Sequence, residues 1–156
     1  MKTIEYSIII KKPVAEVFRY LENLENRPEW EPGLIEAKVV SGKYEEPGSV
    51  IQITNKALGK KMETEARVIE YVENSHVICR ADKPFFHEVK NSYEDLNGHT
   101  KFTRKATADF DKKGGVTKLA SGLVVKKLEK TFQKTVVNAK KILENSCQES
   151  NTGVPR

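Results

Sequence analysis

GVTKLASGLVVKKLEKTFQKTVVNAKKILEN, residues 115–145, is the stretch whose reading decides the fold. It lies in the longest proline-free run of the chain, and its apolar residues recur at helical spacing. Advancing 100° per residue puts Ser121, Val125, Leu128, Phe132, Val136, Ala139, Ile142 and Leu143 on one side. That stripe is expected to face a sheet. Val116, Leu119 and Leu123 fall opposite, followed there by Lys126, Lys127, Lys130, Lys134 and Lys141. The outer face therefore has an apolar tip and then a lysine stripe. Gly122 marks a candidate break, because glycine costs a helix interior about 1 kcal/mol against alanine.

Working outward, residues 34–111 read as strands joined by turns. Leu34–Val40 alternates, with Ile35, Ala37 and Val39 on one face. Ser49–Asn55, Met62–Tyr71, His76–Ala81, Phe85–Leu96 and Thr100–Phe110 follow. Asn97-Gly98 is a two-residue hairpin signal. Hairpin-length turns imply an antiparallel sheet. Before it, Ile4, Tyr6, Ile8 and Ile10 share a face of a first strand, Thr3–Ile10. Pro13 suits the first turn of a helix, and Val14, Val17, Phe18 and Leu21 form its apolar stripe. Pro28 and Pro32 allow only a short turn around Trp30. Trp30 is either a core plug or a pocket wall. Residues 1–145 are expected to form one domain, and 146–156 a disordered tail.

Composition bounds the class. With 31% charged and 38% hydrophobic residues, the 156-residue chain reads as a soluble domain. No apolar run suits a spanning helix. Ile8-Ile9-Ile10, followed by Lys11-Lys12, is too short for a signal peptide, so the expected location is cytoplasmic. Cys79 reads as a buried thiol and Cys147 as a surface one, not as a disulfide. The net charge of +5 belongs to residues 116–145, with seven lysines and two glutamates; the other 20 basic and 20 acidic residues cancel.

The pattern Pro13-x-x-x-Val17-Phe18-x-x-Leu21, then Asn26-x-Pro28-x-Trp30-x-Pro32, then Gly42 and Gly48, resembles the START-like, or SRPBCC, superfamily. More narrowly it resembles the polyketide cyclase/dehydrase and lipid-transport branch. Tyr93-Glu94-x-x-x-Gly98-x-Thr100 and a final helix closing on Leu143-Glu144 fit it too. The resemblance implies an α+β helix-grip fold, a curved antiparallel sheet of about seven strands wrapped around the C-terminal helix, with two short helices after the first strand. It also implies a cavity between sheet and helix. Expected around that cavity are Trp30, Met62, Thr64 and Phe85, with Tyr93, Phe102 and Arg104 from the later strands. From the final helix come Leu119, Leu123, Leu128 and Phe132.

The chemistry-bearing residues are sparse. There is no Gly-x-Ser-x-Gly, no phosphate-binding glycine loop, and no metal-ligand spacing among His76, His87 and His99. Neither a metal nor a cofactor is expected. Arg104 shares a strand face with Phe102, Ala106 and Ala108, so it is either paired with a protein carboxylate or aimed at a ligand oxygen. His87 and Tyr93 share the parity of Val89. The expectation is a binder or carrier of a small apolar or amphipathic, lipid- or polyketide-like molecule. The alternative is a cyclase, aromatase or dehydratase using Arg104, Tyr93 and His87. The lysine stripe offers a contact for an anionic membrane surface. Nucleic acid is a weak candidate partner, since no aromatics interleave with the lysines.

Overall fold

A computed structural model describes residues 1–57, 59–109 and 122–151, without the side chains of residues 57, 122–124 and 146–151. The elements run β1 (Lys2–Ile10), α1 (Val14–Leu21), a 3-10 turn (Leu24–Asn26) and α2 (Arg27–Trp30). Then come β2 (Leu34–Ser41), β3 (Val50–Ala57), β4 (Lys60–Val72), β5 (His76–Ala81), β6 (His87–Asp95), β7 (Thr100–Ala108) and α3 (Gly122–Asn151). The strands form one seven-stranded sheet in the order β1-β7-β6-β5-β4-β3-β2, antiparallel at every pairing. This is the helix-grip arrangement.

Local chemistry explains the joints. At Asn97-Gly98 both residues have positive φ, +54° and +98°. That is the twist a two-residue turn needs to match right-handed strands, and it sets Asp95 opposite Thr100. The polypeptide enters α1 through extended Pro13 and leaves at Glu22, whose N–H donates to Phe18 O. Pro28 sits in the first turn of α2, where its missing N–H costs nothing.

Three register shifts interrupt the strand pairings, two in β2 (Leu34/Glu36 and Val39/Ser41) and one in β4. A register shift between Leu34 and Glu36 in β2 turns Leu34 and Ala37 inward and leaves Ile35 41% exposed. Ile35 therefore does not share the inner face with Ala37 and Val39. The shift in β4, between Val68 and Glu70, bends that strand. Pairing of β4 with β5 begins only at Arg67–Arg80, so β4 from Lys60 to Ala66 has no partner on that side among the described residues. A gap opens there between β4 and the β5–β6 connection.

The core lies between the inner sheet face, α1, α2 and the C-terminal half of α3. Ile10, Val17, Leu21, Trp30, Phe102, Val136 and Ala139 are all buried in one cluster. α3 packs mainly on β1, with smaller contacts on α2 and β7. Its C-terminal half is tied to β1 by Lys140 Nζ donating to Ile9 O (2.7 Å), and to the residue after β1 by Lys11 N donating to Glu144 Oε2 (2.9 Å). The sheet-facing stripe holds at Val136, Ala139 and Leu143 but fails at Leu128, which is 40% exposed. Lys126, Lys127, Lys130, Lys134 and Lys141 face solvent as expected. The helix continues to Asn151, into the 146–156 segment expected to lack structure. The apolar tip at Val116–Leu119, and the side chain of Leu123, lie outside the described residues. Among the described residues no helix is long and apolar enough to cross a membrane.

Candidate ligand site

A buried polar network occupies the middle of the grip. Glu31, the residue after α2, accepts from two guanidiniums. Arg104 Nη2 donates to its Oε1 at 2.6 Å. Arg27, one helical turn before it, donates Nη2 at 3.1 Å and also makes a short Nε contact to Oε2. Burial alone would raise the Glu31 pKa, but the charges of Arg104 and Arg27 outweigh it and hold it below the usual carboxylate value. Arg104 Nη1 donates to Asn91 Oδ1 (3.0 Å), and Asn91 Nδ2 donates to Glu22 Oε2 (2.9 Å). Those two bonds fix which way the Asn91 amide points. Glu22 also accepts from Tyr44 Oη (2.6 Å) and Tyr93 Oη (2.5 Å). Burial, and then the Glu22 charge, push both phenols well above their ordinary pKa.

Aromatic rings brace the network. The Arg104 guanidinium lies 5.3 Å from the Trp30 ring and 5.4 Å from the Phe132 ring. Phe102 packs edge-on to Trp30 and stacks on Tyr93. Three buried side-chain groups have no hydrogen-bond partner among the described residues, Arg104 Nε, Trp30 Nε1 and Ser49 Oγ.

A cavity of about 50 Å³ adjoins the network, walled by Glu22, Arg27, Tyr44, Asn91, Arg104 and His87 on its polar side. Ile53, Ala66, Val77, Cys79, Ala81 and Val89 supply the apolar side. Two surface grooves flank it. One, of about 640 Å³, lies by α1 and the β4–β5 turn and shares Glu22 and Tyr44 with the cavity. The other, of about 690 Å³, fills the gap between β4 and β5 and shares Ala66 and Ala81. The two residues shared with the first groove are hydrogen-bonded to each other, and the two shared with the second are alanines.

The expected site residues fall in different places. Arg104 reaches the cavity wall, and the structure pairs it with a protein carboxylate while leaving its Nε unused among the described residues. Trp30, Phe102 and Tyr93 are core residues that do not line the cavity; Trp30 is the core plug. Met62 and Thr64 line the β4–β5 groove, with Met62 49% exposed. Phe85 lies before β6, its ring 5.4 Å from His87. Arg104 and His87 both line the cavity, whereas Tyr93 does not. Asn91 is the register partner of Arg104, and His87 lies four residues along β6 from it, about 13 Å at strand rise. Tyr93 lies on the other side, bonded to Glu22.

Glu22, Arg27, Glu31, Tyr44 and Asn91 were not singled out by sequence. Two of them left a signal. Glu22 stands four residues after Phe18, continuing the apolar stripe of α1 with a carboxylate. Asn91 has the parity of Val89 and Tyr93.

Cys79 borders the cavity, and burial pushes its thiol up to about 11. At about pH 8 the native protein should therefore leave Cys79 unalkylated by iodoacetamide while the urea-unfolded chain reacts fully. Peptide mass spectrometry reads the difference.

The fold is that of the START-like, or SRPBCC, superfamily. The chain belongs to the polyketide cyclase / dehydrase and lipid transport family, whose model matches residues 1–144. Among solved structures it is similar to the Zhui aromatase/cyclase of a Streptomyces species, with TM-score 0.79 at 10% identity, covering 96% of this chain and 98% of that one. A protein of Thermus thermophilus superposes with TM-score 0.74 at 13% identity, over 93% and 99% of the two chains. A START superfamily protein of Mycobacterium smegmatis gives 0.61 at 14% identity, over 86% and 96%. At such identities the shared property is the fold. No curated protein matches the sequence significantly.

Proposed function

We propose that the chain binds a small amphipathic molecule whose oxygen-bearing end enters the cavity at Arg104. Its apolar body lies in the groove between β4 and β5. The observation that carries this is Arg104 Nε, a buried donor without a partner among the described residues, on a residue of the cavity wall. Buried donors are ordinarily paired, and an entering oxygen would complete this one. The cavity, at about 50 Å³, suits a head group and not a whole ligand. The adjoining groove, at about 690 Å³, has the size of a small-molecule site. Ala66 and Ala81 line both.

Two measurements test this. Protein purified from its own host should carry a small co-purified adduct in native mass spectrometry. An Ala66→Leu/Ala81→Leu protein, its passage filled by added methylenes, should carry at least about tenfold less. A wild-type protein without adduct, whose Arg104 Nε–H resonance is also unmoved by 1-octanol, sinks the reading.

A second reading, a cyclase acting on a polyketone, is favoured by one observation. His87 Nδ1 must donate to the Phe85 carbonyl (3.1 Å), which leaves Nε2 of the neutral ring as an acceptor on a residue of the cavity wall. Against it, Glu31 is engaged by two arginines and Glu22 by three donors. If the enzyme reading holds, His87→Asn stops cyclisation of a linear polyketone while 1-octanol binding persists.

A further inference from the structure

Resting on the cavity reading above, we infer that the accepted head group is uncharged, a hydroxyl or ketone oxygen, and that Glu22 is the residue that excludes carboxylates. The charges around the cavity already cancel: Glu22 and Glu31 against Arg27 and Arg104. The two carboxylates are not equivalent. Glu31 faces both guanidiniums, whereas among the described residues no cation lies within ion-pair distance of Glu22. Glu22 is 5% exposed, stands in the cavity wall, and is held by the neutral donors of Tyr44, Asn91 and Tyr93. An anion entering the cavity meets this carboxylate with no spare positive charge to offset it.

The geometry of Arg104 points the same way. A carboxylate ligand is normally gripped by two parallel N–H donors of the guanidinium fork. Here Nη2 is committed to Glu31 and Nη1 to Asn91. Nε is the one nitrogen of the fork with no partner among the described residues, so a two-pronged grip would have to share Nη1 with Asn91 or Nη2 with Glu31. Asn91 cannot turn to help, because its oxygen is taken by Arg104 and its amide by Glu22.

The test compares 1-octanol with octanoate at neutral pH, two probes with the same alkyl body and heads of different charge. The readout is the Arg104 Nε–H and Asn91 side-chain amide resonances, which report arrival in the cavity and not adsorption on the surface. In the wild type, octanol should move both, and octanoate should bind at least about tenfold more weakly. In Glu22→Gln, octanoate should gain at least about tenfold relative to octanol, since one negative charge is removed from the cavity wall while the side chain keeps its size. Octanoate binding the wild type as tightly as octanol, with the Arg104 resonance moving, overturns the inference and leaves the cavity reading standing. If neither probe moves those resonances, the cavity reading itself has failed. The wild-type comparison decides the matter even if Glu22→Gln does not fold.

Discussion

Glu31→Gln is expected to destabilise the fold by about 3–5 kcal/mol, the cost of removing one partner from a buried ion pair. The size follows from what is left behind. Two guanidiniums, on Arg27 and Arg104, converge on this one carboxylate, and all three groups are largely withdrawn from solvent. An amide in its place offers an oxygen but no charge, so two buried cations face each other without compensation. Urea unfolding followed by circular dichroism measures the loss. A change below about 1 kcal/mol would show the network to be solvated in solution.

The same residue sets a pH dependence whose sign can be worked out. The folded pKa of Glu31 lies below its ordinary value of 4.5. Its contribution is thus fully present above 4.5 and is lost as pH falls through the depressed value. The wild type should lose stability with acid across that window. Glu31→Gln, already lacking the carboxylate, should show a shallower slope there.

How much of this was legible in the sequence depends on range. Features fixed by neighbouring residues were readable. Asn97-Gly98 marks its hairpin because only residues tolerant of positive φ fit it, and β5 occupies His76–Ala81 as its turn residues predict. Features fixed by distant contacts were not. The shift in β2 that exposes Ile35 depends on pairing with β3, which single-strand alternation does not encode. The exposure of Leu128 depends on where α3 is anchored, and that is decided at Ile9, Lys11, Lys140 and Glu144. Arg104 could be read as a buried cation in need of an acid. Its partner, 73 residues earlier on a two-proline turn, could not. Strand parity put His87 and Tyr93 on the correct face, yet parity says nothing of distance along a strand.

Trp30→Ala is expected to cost about 3–5 kcal/mol, as deletion of a fully buried large aromatic does when the site cannot collapse. Collapse is hindered on every side. Phe102 meets the ring edge-on at 6.1 Å, Arg104 lies over it at 5.3 Å, and Asn138 Nδ2 donates to the backbone carbonyl at 3.5 Å. Removing the indole N–H forfeits no hydrogen bond among the described residues. That allows volume and ring electrostatics to be separated. Trp30→Phe keeps an aromatic face under the guanidinium and should cost distinctly less than Trp30→Ala. Trp30→Leu fills comparable space without a π face and should fall below Trp30→Phe by about 0.5–2 kcal/mol, the worth of a desolvated cation–π contact. Leucine and phenylalanine variants of equal stability would show that the indole acts by bulk alone, and that Phe132, at 5.4 Å, suffices to hold Arg104. If instead the Arg104 Nε–H resonance broadens in the leucine variant, the tryptophan is what holds the guanidinium in place.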